Sequence, residues 1–141
     1  MIIKTLMDDK YIKDDPVRPF LSYTWRKNVG EIYYIGEEDS PDAIVCVAMT
    51  PYIPKNIRTI TLSKRGLCAI PYTIWSYKPK SGRNLIFALR DIAIQNKWER
   101  LVTLSPPTDM SHNFHIENGA FLLSDNNETR NYEYPLCSKM V

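Results

Sequence analysis

The hydrophobic period of this chain switches once, sharply, at Lys78, and that switch limits the folds open to it. Ala69 to Tyr77 (AIPYTIWSY) is a run of strand length, rich in β-branched and aromatic residues. Beyond it, Leu85, Leu89, Ile92 and Ala93 follow the i, i+4, i+7, i+8 spacing of a helix face. Arg90, Asp91, Gln95 and Lys97 supply much of the polar side, so the spacing predicts a helix from Arg83 to Lys97. Arg100 to Leu104 (RLVTL) reads as a buried strand, ended by Ser105-Pro106-Pro107. Thr108 can cap a second short helix, with Asp109 in its first turn, and Asn118-Gly119 is a helix stop. The stretch is a strand-helix-strand-helix unit.

The joint in that unit is Tyr77-Lys78-Pro79-Lys80-Ser81-Gly82-Arg83-Asn84. A helix start exposes unpaired N–H groups and a partial positive charge, which suits it to phosphate. Ser81 is the expected N-cap, and Gly82 lets the backbone approach a ligand closely. Lys78, Lys80 and Arg83 cluster here with no acid between them. A solvated basic turn would carry the same residues. The loop is neither a G-x-G-x-x-G fingerprint nor a Walker loop.

Upstream, Glu31 to Ile35, Ala43 to Met49 and Arg58 to Leu62 read as further short strands. Strands joined by short links favour an antiparallel meander. Phe121 to Leu123 and Tyr132 to Tyr134 read as two final strands around the turn Asp125-Asn126-Asn127. Met1 to Phe20 is polar and prolyl, and reads as an extended arm or loop. The fold class is α/β (α+β): a mixed, mostly antiparallel sheet with flanking helices.

At 141 residues the chain suits one domain, with Met1 to Phe20 as its N-terminal arm. A net charge of +2 is too small to imply a nucleic-acid partner by itself. The 3 cysteines show no C-x-x-C spacing, which argues against a zinc knuckle or a disulfide framework. Cys46 and Cys68 sit in apolar runs, as small buried hydrophobes do. With no stretch of signal-peptide or membrane-span length, a cytoplasmic protein without membrane contact is expected.

From Ala69 to Ala120 the chain resembles the GNAT acyltransferase superfamily. In that family a strand leads into R/Q-x-x-G-x-G/A at a helix start. Tyr77 stands at the R/Q position, Lys80 at the first Gly and Gly82 at the second. The family's downstream pattern, N-x-x-A-x-x-l-Y-x-k-x-G-F, meets Thr108, Ser111, Phe114, His115, Gly119 and Ala120 in one register. The resemblance implies a sheet splayed between its fourth and fifth strands, and a domain that binds acetyl-CoA or another acyl-CoA. Lys78, Lys80, Ser81, Gly82, Arg83 and Asn84 would hold the pyrophosphate. The backbone of Ile74, Trp75 and Ser76 would pair with the pantetheine arm, and a bulge amide near there would polarise the thioester carbonyl. Ser105 and Thr108 would line the other side. His115, at the family's Tyr position, would protonate the departing thiolate, with Ser111 one turn earlier orienting its ring. An amine acceptor would attack the thioester directly.

No carboxylate lies within Pro71 to Tyr77, so the sequence names no general base; Asp14, Asp15, Glu31 or a water chain are the candidates. His112 lies about 300° around the helix from His115 and faces elsewhere. Ser105 lacks a nucleophile elbow, and a Cys46–His pair has no supporting spacing. Tyr23, Trp25, Tyr33, Tyr34 and Tyr52 would stack on a planar acceptor, pack in the core or serve a homodimer interface. Two other readings share the scaffold. One is a nucleobase- or DNA-modifying enzyme such as the Mom-type phage proteins, with nucleic acid as partner. The other is a non-catalytic module that binds CoA or a protein.

Overall fold

The structure, a computed structural model, describes residues 3–60 and 66–136. Its strands are β1 (Lys4–Thr5), β2 (Gly30–Glu37), β3 (Ser40–Thr50), β4 (Cys68–Ser76), β5 (Arg100–Val102), β6 (Phe121–Asp125) and β7 (Arg130–Tyr134). Helices α1 (Tyr23–Val29), α2 (Ser81–Gln95) and α3 (Asp109–Glu117) flank them. The strands form one seven-stranded sheet in the order β1-β2-β3-β4-β5-β7-β6. Every pairing is antiparallel except β4 with β5.

Both faces of the sheet are covered, which explains why β3 reads as a continuous apolar run rather than an alternating one. Ile44 and Cys46 point to the α1 side, with Ile32, Ile70 and Tyr72. Val45 and Val47 point to the α2 side, against Leu85, Leu89 and Ala93. Leu85 and Leu89 are fully buried, and each such side chain contributes about 2 kcal/mol by leaving water. The helix face read from the spacing is therefore the packed face.

The sequence expectations need four corrections here. Arg58 to Leu62 is not a strand: Ile57–Thr59 forms a 3₁₀ turn, Ile60 alone plugs the core, and Thr61 and Leu62 lie outside the described residues. Met1 to Phe20 is not wholly a loose arm, since Lys4–Thr5 pairs with β2, Asp9–Asp14 forms a 3₁₀ turn and Asp15 and Arg18 are buried. Helix α1 was not read from the sequence at all. Ser81 is not the N-cap of α2: Lys80 caps it from the left-handed region (φ 66°), and Ser81 begins the helix, its hydroxyl 2.9 Å from the Asp42 carbonyl.

The sheet opens between β4 and β5. They pair only at Cys68–Arg100 and Ala69–Leu101, and the Leu104 N–H donates to the Pro71 carbonyl at 3.0 Å. Pro71 has no N–H of its own to offer the ladder. Beyond it the chain after β5 stays with β7, the Ser105 N–H donating to the Arg130 carbonyl at 2.8 Å. Meanwhile Thr73 to Ser76 stay paired with β3. The central strands are thus splayed, as the sequence resemblance implied.

A bulge accompanies the opening. Cys46 pairs with Thr73 and Val47 with Pro71, so Tyr72 is the extra residue on β4. Tyr72 and Thr73 both face the α1 side as a result, and Ile74 returns to the other face. The bulge lies just upstream of Ile74–Ser76, where it was expected.

Candidate active site

A cavity of about 600 Å³ fills the gap between the splayed strands. It reaches through the sheet. On the α2 side it is walled by Gly82, Ile86 and Phe114, and on the α1 side by Pro16, Val17 and Tyr72. Residues 71–76 of β4 form one flank, and Ser105, Pro106, Thr108, Ser111 and His115 form the other. Of the residues expected at the site, the structure brings Ile74, Trp75, Ser76, Gly82, Ser105, Thr108, Ser111 and His115 together.

The basic loop behaves less uniformly. Lys78 pairs with Asp42 at 3.0 Å, a partner distant in sequence. The Arg83 guanidinium lies over the Phe87 ring, 5.1 Å from its centre. Lys78, Lys80, Ser81, Arg83 and Asn84 are not among the cavity's walls. Of the loop, only Gly82 is, where α2 begins. A Cβ there would meet the Phe114 ring at 3.4 Å, so the bare backbone keeps that wall open. Lys80 takes a backbone conformation that glycine adopts most easily, which accounts for the family's Gly at this position.

The other flank carries a buried chain of polar groups. Thr108 caps α3, its hydroxyl accepting from the Ser111 N–H at 3.2 Å, and this sets the helix phase that turns His115 inward. The His115 Nδ1 lies 2.7 Å from the Tyr134 hydroxyl and Nε2 lies 3.2 Å from the Ser105 Oγ. The Ser105 hydroxyl donates to the Thr103 Oγ1 at 2.7 Å. With that proton committed, Nε2–H is assigned as donor to Ser105 and the Tyr134 O–H as donor to Nδ1. The ring also stacks on Tyr132, centres 5.1 Å apart.

Two expectations change at His115. Ser105 and Tyr134 fix its ring, whereas Ser111, which was expected to orient it, makes no bond to it and instead faces the cavity. Burial pushes its pKa down to about 4, away from the near-neutral value that unperturbed histidine offers. The imidazole is therefore uncharged at neutral pH. His112 does not face elsewhere as expected: an offset of about 300° is about 60° the other way round α3. Both rings meet Tyr132, the His112 Nδ1 lying 2.9 Å from its hydroxyl, though His112 is not among the cavity's walls.

The candidate bases are all occupied elsewhere. Glu31 pairs with Lys27. Asp14 accepts from the Tyr77 hydroxyl at 2.7 Å. Asp15 is fully buried against Arg26 at 2.7 Å. Burial alone would raise its pKa, but the Arg18 amide, the Arg26 guanidinium, the Val17 amide and the Thr73 hydroxyl hold it below the ordinary value. It is an ionised structural carboxylate with no capacity to spare. Cys46 is inert, since burial pushes its thiol up to about 12.

Asp15 and Arg18 were read only as parts of the N-terminal arm, Asp15 also as a candidate base; Arg26, Tyr134 and Thr103 escaped the sequence reading. The signal available for the arm was Asp15-Pro16-Val17-Arg18, a charged pair bracketing a turn. The first-half aromatics are mostly packing: Tyr34 is in the core, and Trp25 meets Tyr72 edge-on. Among the described residues no helix is long and apolar enough to cross a membrane, and no group of side chains could hold a metal ion.

Comparison with solved structures finds the same arrangement of splayed strands and flanking helices. The chain is similar to a protein described as an acetyltransferase of the GNAT family from Desulfovibrio desulfuricans (12% identity, TM-score 0.56, 76% of this chain and 69% of that one). It is similar to an acetyltransferase from Bacillus subtilis solved with CoA (10%, TM-score 0.62, 93% of each chain). It is also similar to a malonyl-CoA decarboxylase from Cupriavidus metallidurans (14%, TM-score 0.64, 94% of this chain but 60% of that one). No protein-family model and no curated protein sequence matches the chain. The chain has the fold of these GNAT acetyltransferases.

Proposed function

We propose that this chain is an acyl-CoA-dependent N-acyltransferase, transferring acetyl or a related acyl group to an amine. The observation that carries this is the Ser105 hydroxyl, at the wall of the through-sheet cavity and backed by an uncharged, doubly held His115. The cavity fits the group. It is largely apolar, is lined along Pro71 to Ser76 of β4, and reaches the start of α2, whose free N–H groups favour phosphate.

An acyl-CoA bound there supplies an activated acyl group as a thioester. The α2 start, with Lys78, Lys80 and Arg83 nearby, attracts its phosphates. Residues Ile74 to Ser76 offer backbone groups to an extended arm in the manner of strand addition. The backbone at the Tyr72 bulge offers a donor for the oxygen on which charge develops. Ser105 would turn its hydroxyl from Thr103 to donate a hydrogen bond to the departing sulfur, which takes up the proton released by the attacking amine, and His115 Nε2–H would hold the serine oxygen in place. Thr108 and Ser111 add hydroxyls to the same wall. No side chain titrating near pH 7 is required of His115.

Decarboxylation, suggested by the malonyl-CoA decarboxylase neighbours, is the less favoured chemistry. Among the described residues the cavity wall offers no cation to hold a β-carboxylate.

Calorimetry with CoA is the primary test: binding below millimolar is expected, and none at millimolar CoA removes the assignment. His115→Phe is expected to lower turnover by about tenfold or more while leaving CoA affinity within about twofold, the split of a group that acts in the transition state. An unchanged rate takes His115 out of the mechanism. Malonyl-CoA is expected to release no CO₂.

A further inference from the structure

The α1-side mouth of the cavity is built by a turn that cannot drift. The Asp15 carboxylate accepts from the Val17 and Arg18 N–H groups at 2.9 Å each and from the Thr73 hydroxyl at 2.8 Å. Arg26 of α1 donates to the Arg18 carbonyl at 2.8 Å. The Arg18 guanidinium in turn donates to the Tyr72 carbonyl at the bulge. Val17 is thus flanked by residues pinned to β4 on both sides of the bulge, and its half-buried side chain faces the cavity opposite the α2 end.

We propose that this wall selects the acceptor, and that the acceptor is an amine entering uncharged and carrying an apolar, aromatic group that packs on Val17. The inference rests on the acyltransferase reading. Pro16, Val17, Tyr72 and Trp75 give the mouth an apolar and aromatic surface. Neither nearby carboxylate lines the cavity: Asp15 is paired with Arg26, and Asp14, which accepts from the Tyr77 hydroxyl, lies outside its walls. An ammonium arriving here would shed water and find no counter-charge, whereas a weakly basic arylamine arrives neutral and sheds little. The chemistry balances without a base. The nitrogen lone pair forms the C–N bond, the C–S bond breaks, and the proton that nitrogen gives up ends on the thiolate. A strongly basic alkylamine would first need deprotonating, and among the described residues no carboxylate lines the cavity.

The test is calorimetry on the full chain, first with CoA alone and then, with CoA saturating, with 4-butylaniline and hexylamine at neutral pH. The arylamine is expected to bind at least about tenfold more tightly than the alkylammonium, the discrimination a well-fitted apolar pocket reaches. Val17→Glu is expected to reverse that order, and Val17→Ala to weaken the arylamine about threefold, each with CoA affinity unchanged. Thiol release with acetyl-CoA should follow the same ranking. Equal affinities in the native chain, or a ratio that neither variant alters, overturn the proposal while leaving CoA binding intact. Failure to bind CoA in the first step instead overturns the reading beneath it.

Discussion

Two groups of buried polar side chains flank the same cavity, and they are buried on opposite terms. On the α1 side, Asp15, Arg18 and Arg26 are charged, and Arg26 spends its guanidinium on Asp15, Leu21, Arg18 and the Cys46 sulfur. On the far flank, Thr103, Ser105, His115 and Tyr134 are uncharged and linked through single protons. A charge taken out of water must be paired and fully bonded, which leaves it rigid. A chain of hydroxyls and a neutral imidazole can reverse its donors without separating charge. The first set therefore fixes the geometry of the bulge and the Val17 turn, and the second is the one able to move a proton.

The sharpest way to break this contrast is Arg26→Ala. It leaves the Asp15 carboxylate ionised, fully buried and unpaired, which costs about 3–5 kcal/mol. A fall in melting temperature on the order of 10 °C is expected. The double variant Asp15→Asn, Arg26→Met should recover part of that loss, because it removes both charges. A loss under about 1 kcal/mol in Arg26→Ala would mean that the pair is not structural.

The next effect separates the two sets by pH. Burial lowers the His115 pKa from 6.5 to about 4, so the folded chain takes up that proton less readily than the unfolded one. Stability attributable to this group is complete above pH 6.5, falls as pH drops toward about 4, and is constant below; the total is roughly 3 kcal/mol. Asp15 has the opposite charge type and a lower window. Its pKa is held below the ordinary 3.8, so its contribution is present above that value and is lost as pH falls through the lower, folded one. Denaturant melts across this range should show His115→Phe flattening the upper window and Asp15→Asn the lower. If His115→Phe leaves the upper window as steep as before, the imidazole is not the neutral member of the chain.

How far sequence alone reaches follows the same division. The β4–α2–β5–α3 unit was legible because each element carries a local signal: the change of period at Lys78, the Thr108 cap and the Asn118-Gly119 stop. The resemblance to the GNAT pattern, laid over these elements, supplied the register that put Ser105, Thr108, Ser111 and His115 on one wall. Helix α1 was hidden because Tyr-Thr-Trp-Arg-Lys-Asn-Val shows no apolar stripe, and its largest fully buried side chain is an arginine. Asp15 was read as a candidate base and Arg18 as part of a polar arm because the partners that bury them lie on α1 and β4. The proton state of His115 was misread for a related reason, since the side chains that surround it arrive from β7 and from Ser105.

The smallest effect tests the one loop residue whose backbone and side chain disagree. Lys80 sits at φ 66°, where a side chain costs roughly 1 kcal/mol that glycine would not incur. Glycine also gains freedom in the unfolded chain, worth about 0.5–1 kcal/mol in the other direction. Lys80→Gly should therefore leave the melting temperature nearly unchanged. Its effect should fall instead on the phosphate end of the cavity, weakening CoA about threefold at low salt and less at high salt, because one exposed cation is worth little and is screened. Tighter CoA binding in Lys80→Gly would show that close approach of the backbone, rather than the ammonium, limits affinity at the start of α2.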